Sequence, residues 1–346
     1  MRATDKFDIY ELEHTGQVVC EVTLDCGLGG ETVTIGAVPD LHLNLSDITD
    51  ASDPEVSYTD TCRLWCKDGA SLPNAIPALQ AASFCDQAVL LGDTLDYISH
   101  GTLSLTQKHI FNLYPDIICV LGGHDITKQM QTEKPNELTL DERLDILKAV
   151  WPHDIHYCSK VVKDKVICVG LDNGQGKYLP CQIEKLKADI EKARTENMAV
   201  LLFQHENIST LNPADTEVEA IHHHNYKLVC NFYDAPKLIG RPSDTESATL
   251  EFYKLITESA DVIKGVFCGH QHNIFYTEIL AKERVIPQYT LTANPYFKNG
   301  TLAKIVIRSH KKEQKLLFCF VIMLLIQHRC PIYRLKPLTF KKGVGF

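Results

Sequence analysis

The sequence predicts a layered α/β fold, two sheets packed face to face with helices outside, and three observations predict it. Short apolar runs alternate with helical stretches. Several of those runs end abruptly in Gly, Asp or His, and the last third of the chain is dominated by strand-like segments. The first clear strand is Thr32 to Val38, followed by Gln87 to Leu91, Asp116 to Leu121, Met198 to Phe203 and Val262 to Cys268, all β-branched or apolar. Helices are expected at Leu72 to Phe84, Leu103 to Leu113, Asp141 to Val150, Leu179 to Arg194 and Ala248 to Ser259. Ile155 to Tyr157 and Val166 to Leu171 read as a strand pair. Tyr276 to Leu280, Val285 to Leu291 and Leu302 to Ile307 read as late strands, with Asn299-Gly300 before the last as a hairpin turn signal. The expected organisation is an N-terminal extension with edge strands over residues 1–30, one domain over 31–309 and a tail over 310–346.

Composition narrows the function classes. A net charge of −9 on 346 residues opposes broad capture of nucleic acid or an anionic membrane. Thirteen cysteines are scattered without a paired framework, several inside apolar runs, and the N-terminus is not signal-like. Buried thiols in a reducing cytoplasm are expected. Cys62 and Cys66 have no second pair at zinc spacing. Leu316 to Ile326 is an unbroken apolar run of 11 residues flanked by basic side chains, shorter than the roughly 20 needed to span a bilayer. Ser46 to Asp60 and the Pro- and Asp-bearing stretch Asn207 to Thr245 read as surface loops.

Five short clusters stand at the ends of apolar runs: Asp40-Leu41-His42, Gly92-Asp93-Thr94-Leu95-Asp96, Gly122-Gly123-His124-Asp125, Gln204-His205-Glu206 and Gly269-His270-Gln271-His272. Carboxylate and imidazole are ligands for Zn, Fe, Mn or Ni rather than a thiolate set. Groups at the carboxyl ends of strands gather at one rim of an α/β sheet, so sequence-distant clusters are expected to meet. Each cluster alone is a weak pattern; the ordered set of five is not. Asp96 reads either as a functional carboxylate or as a helix N-cap. His222-His223-His224 lies in a polar stretch and reads as solvated, and His100, His109, His153 and His156 read as structural. Gly27, Gly29 and Gly30 precede a strand and lack the Lys-Ser/Thr of a phosphate loop.

The five clusters, in this order, resemble the signature of the calcineurin-like metallophosphoesterases, over roughly residues 32 to 309. The resemblance implies a four-layer α/β/β/α sandwich of two mixed sheets with helices outside. It implies two divalent ions: Asp40, His42 and His272 on one, His205 and His270 on the other, and Asp93 bridging. It further implies hydrolysis of a phosphate monoester or diester by hydroxide held between the ions, with His124 assisting the leaving group and Asp96 orienting His124. The substrate class would be a phosphorylated small molecule or protein. One position departs from the family: Gly123 stands where an asparagine ligand is expected, which weakens the second ion's site or leaves its completion to another group such as Asn273. That departure keeps open a catalytically impaired interaction module on the same fold. A nuclease is the other alternative, opposed by the acidic charge.

Overall fold

The computed structural model describes residues 6–12, 17–50, 66, 69–127, 138–208, 247–272, 274–282, 284–296 and 299–308. They lie within one compact unit, Met1–Ser309. The apolar run Leu316 to Ile326, the histidines 222–224, Asn273, Cys62 and most of the two predicted surface loops lie outside the described residues.

Two six-stranded sheets form the middle of the unit. The first has the order β1(Asp8–Glu11), β2(Val18–Asp25), β12(Thr301–Arg308), β3(Val33–Val38), β4(Gln87–Leu90), β5(Ile118–Cys119). The second has the order β10(Phe275–Ala281), β11(Arg284–Thr290), β9(Ile263–Cys268), β8(Ala199–Gln204), β7(Val166–Leu171), β6(Tyr157–Val162). Strands β3, β4 and β5 are parallel, as are β7, β8 and β9. Both sheets are mixed, because β12 runs antiparallel to β3 and parallel to β2, and the outer pairs β6–β7 and β10–β11 are antiparallel.

Three apolar clusters separate four layers. Val33, Ile35, Val89, Leu91, Ile118 and Ile305 of the first sheet meet Cys168, Leu201, Phe203 and Phe267 of the second between the sheets. Outside the first sheet, α1(Leu72–Ser83) and α3(Leu140–Lys148) bury Ala75, Leu79, Leu144 and Leu147; between them along the chain comes the short helix α2(His100–Thr106). Outside the second sheet, α4(Pro180–Glu196) and α5(Ser247–Glu258) bury Leu186, Ile190, Phe252 and Ile256. The result is the α/β/β/α sandwich.

Several elements differ from expectation for local reasons. The run Asp116 to Leu121 pairs as strand only at Ile118–Cys119, because side chains take over the outer edge: His153 Nε2 accepts from Cys119 N at 2.8 Å and Trp151 Nε1 donates to Cys119 O at 3.1 Å. The predicted helix Leu103 to Leu113 begins three residues earlier, where the Ser99 hydroxyl caps Thr102 N, and ends in a π turn over Gln107–Phe111. Asn299 and Gly300 do adopt positive φ, 65° and 75°, but they form no hairpin. The strand that follows them, β12, inserts between β2 and β3 of the opposite sheet. A hairpin with a three-residue loop, Lys163 to Lys165, instead joins β6 to β7, and Lys163 and Asp164 have φ of 50° and 52°. Of the N-terminal strands, β1 is an edge while β2 is interior.

Candidate metal centre

The clusters sit where five strands end. Asp40 and His42 follow β3, Asp93 follows β4, His124 follows β5, His205 follows β8 and His270 follows β9. Strands from both sheets therefore contribute to one rim. One ligand atom each from Asp40, His42, Asp93 and His272 lie within 4.8 Å of one another, and the same holds for Asp93, His205 and His270. Asp93 belongs to both groups. A third group, His42, Asp96 and His124, adjoins the first.

The backbone is bent hard at these positions. Asp40, His42, Asp93, His270 and His272 all have positive φ, from 42° to 70°. Such a conformation costs a non-glycine residue about 1–2 kcal/mol, and its concentration on ligand candidates is the pattern of a functional site. Two glycines make room. A Cβ on Gly122 would collide with Asp93 Oδ1, and one on Gly269 would lie 2.5 Å from Asp40 Oδ2.

Hydrogen bonds orient the imidazoles so that their second nitrogens face inward. His205 Nδ1 donates to Leu91 O at 2.8 Å, and His42 Nδ1 donates to Asp96 Oδ1 at 2.9 Å. In the neutral rings both Nε2 atoms then carry the lone pair, the arrangement that ligating histidines adopt. His42 Nε2 lies 3.1 Å from His272 Nε2, and His205 Nε2 lies 3.1 Å from Asp93 Oδ1. Asp40 Oδ2 and His205 Nε2 are buried with no hydrogen-bond partner among the described residues. Facing imidazole nitrogens and unpartnered buried ligand atoms are costly unless a cation or proton joins them, so the residues fit a bound metal.

Titration behaviour reflects the crowding. Burial pushes the Asp40 carboxyl up to about 8, against the pull of His205. Burial alone would push His205 down, but the Asp93 and Asp40 carboxylates raise it to about 10. Burial also opposes ionisation of Asp93, yet the His205 and His124 charges hold it well below the usual carboxylate range. Burial and the neighbouring His42 charge hold His272 well below the ordinary imidazole range.

His124 presents a side chain 21% exposed. Its Nδ1 donates to the Asp96 carbonyl at 2.9 Å, and its backbone N donates to Asp93 Oδ1 at 2.9 Å. Asp96 is fully buried and is not a helix cap, that place being taken by Ser99. Asp125 braces the loop, accepting from Leu95 N and Gly122 N at 2.7 Å each. Gly123 is buried and its carbonyl accepts from Thr127 Oγ1 at 2.8 Å. His100 pairs with Asp47, and His156 Nδ1 lies 2.7 Å from Asp172 Oδ2.

Sequence reasoning missed two supporting residues. Asn173 Oδ1 accepts from His205 N at 3.1 Å and Glu206 N at 2.9 Å, while its Nδ2 donates to Glu206 O at 2.8 Å. Asn44 Nδ2 donates to Asp96 Oδ2 at 3.2 Å. The one available signal was position: Asn173 follows strand β7 at the same rim as the clusters.

No protein-family model and no curated protein matches the sequence. Solved structures overlap it in part. A Staphylococcus aureus chain described as a 5'-nucleotidase in complex with alpha-ketoglutarate is 13% identical, with a TM-score of 0.38 over 80% of this chain and 51% of that one. A Danio rerio dimetal phosphatase is 12% identical, with a TM-score of 0.40 over 79% of this chain and 91% of that one. A Thermus thermophilus sulfate thiohydrolase, SoxB, in complex with glycerol is 13% identical, with a TM-score of 0.33 over 92% of this chain and 62% of that one. The chain spans about half the length of the 5'-nucleotidase. Among the described residues, no helix is long and apolar enough to cross a membrane. Five Asp, His and Gly clusters in this order are gathered at one rim of an α/β/β/α sandwich, the layering and the juxtaposition that the resemblance to the calcineurin-like metallophosphoesterases implies.

Proposed function

We propose that the chain is a metal-dependent phosphoesterase that hydrolyses a phosphate monoester or diester. The observation that carries this reading is the pair of buried ligand groups, Asp40, His42, Asp93 and His272 on one side and Asp93, His205 and His270 on the other, joined through Asp93. Two divalent ions in such a site supply positive charge to phosphate oxygens and lower the pKa of water. Asp40, His42, Asp93 and His272 would hold the first ion, and Asp93, His205 and His270 the second. Asp93 is the sole carboxylate of the second group, and its negative charge offsets repulsion between neighbouring cations. His124, with its Nδ1 proton committed to the Asp96 carbonyl, keeps Nε2 for moving a proton to the leaving oxygen. A phosphorylated small molecule or protein in a reducing cytoplasm is the substrate class and setting that fit the acidic charge and the buried thiols.

The test is to assay a phosphate monoester and a diester side by side with Mn, Zn, Fe and Ni added in turn. Turnover with at least one metal, lost together with the more weakly held of two bound ions in His270→Ala, is expected. Absence of turnover with every metal would overturn the reading. Gly123, which offers no side-chain oxygen where the family has asparagine, favours one second reading: a metal-binding interaction module. One tightly held ion and no hydrolysis in excess Mn²⁺ would support it. A nuclease would cleave single strands with a steep salt dependence.

A further inference from the structure

We propose that the Asp96 carboxylate is a positioning group for His42, on the metal side of the site, and that His124 takes its orientation from the main chain. The inference rests on the metal-binding reading above. Asp96 Oδ1 lies 2.9 Å from His42 Nδ1 but 3.3 Å from His124 Nδ1. The nearer acceptor for His124 Nδ1 is the Asp96 carbonyl oxygen, at 2.9 Å, and a change of side chain leaves that oxygen in place. The strength of a hydrogen bond falls with distance, so the carboxylate fixes the tautomer of His42 and the carbonyl fixes that of His124.

The carboxylate is itself held from behind. Its Oδ2 accepts from Asn44 Nδ2 and from Cys66 Sγ, each at 3.2 Å, and Asn44 Oδ1 accepts from the Tyr97 hydroxyl at 3.2 Å. Asn44, Cys66, Asp96 and Tyr97 are all fully buried. A rigid buried network of this kind aims the carboxylate at one partner, and a carboxylate hydrogen-bonded to the far nitrogen of a ligating histidine raises its basicity and fixes its ring. The arrangement differs from a His124–Asp96 side-chain pair, and the two make opposite predictions for the same variant.

The variant is Asp96→Asn, studied in the full chain by titration with Mn²⁺ alone and by kinetics on whichever phosphate ester the wild type turns over. Affinity for the tighter Mn²⁺ should fall about 10- to 100-fold, and the pH at which kcat is half-maximal at saturating Mn²⁺ should stay at its wild-type value, because the carbonyl oxygen that holds His124 Nδ1 is unchanged. Unchanged Mn²⁺ affinity with a kcat that falls at saturation would overturn the inference and return Asp96 to His124. A wild type that binds no Mn²⁺ would refute the metal reading itself, a different failure. If Asp96→Asn loses its cooperative thermal transition, Asn44→Ala removes one donor to Oδ2 and keeps the carboxylate. Mn²⁺ affinity should then fall about threefold to tenfold, and an unchanged affinity would again overturn the inference.

Discussion

Replacing Asp93 by asparagine should empty both metal positions. Its Oδ1 lies 3.1 Å from His205 Nε2 and its Oδ2 3.8 Å from His42 Nε2, so the carboxylate faces both ligand groups. Asparagine is nearly isosteric and can keep accepting from His124 N, which leaves the loss of charge as the main change. Unit charges about 4 Å apart interact by about 4 kcal/mol at an effective dielectric of about 20. Tenfold in affinity corresponds to about 1.4 kcal/mol, so each position should weaken by about three powers of ten or more. Equilibrium dialysis against Mn²⁺ with mass-spectrometric metal counting reads this directly. Two ions retained at wild-type affinity would show that Asp93 is not shared and would refute the geometry of the site.

The remaining predictions test separate parts of the account. His124→Ala should leave metal content unchanged and lower kcat about 10²- to 10⁴-fold; an unchanged kcat on every active ester would remove His124 from the chemistry. Asn173→Ala strips acceptors from His205 N and Glu206 N and a donor from Glu206 O, all buried. A cost of about 1–3 kcal/mol is expected, read as a lower urea midpoint, together with weaker binding of the second ion. The metal-free protein should lose stability as pH rises from about 6 to 10. Asp40 and His205 have pKa values raised to about 8 and about 10, so their contribution is greatest below their unfolded pKa values and is lost as pH passes through the folded ones. Metal takes the place of those protons, so thermal midpoints of the loaded protein should be nearly flat over that window. A metal-free midpoint that rises there would contradict the assigned contacts.

The five clusters were legible because strand ends carry their own punctuation: an apolar run that stops in Gly, Asp or His shows its end wherever the strand lies in the sheet. Asp40, His42, Asp93, His124, His205, His270 and His272 were placed at one rim on that basis, and the structure brings them together. Which sheet a strand joins is a different matter. The Asn299-Gly300 pair signals a hairpin turn, and both residues do take positive φ, but nothing local tells β12 to leave β11 and pair with β2 and β3. The β6–β7 hairpin was invisible as a turn because Lys163 and Asp164 are unremarkable residues held at positive φ by the register of the strands. Asn44 and Asn173 escaped because supporting residues are defined by contacts across more than 30 positions of sequence. The positive φ of five ligand candidates is likewise a property of the packed rim. The helix-cap reading of Asp96, which its sequence neighbourhood left open beside a functional one, fails because Ser99 caps the helix.

The central claim is a metal centre with two unequal halves, complete around Asp40, His42, Asp93 and His272 and one ligand short at Gly123. Calorimetric titration of the metal-free protein with Mn²⁺ tests it most directly. The account predicts two binding events, a tighter and a weaker one, with only the weaker removed by His270→Ala. Two events of equal affinity, or no saturable binding, would contradict it.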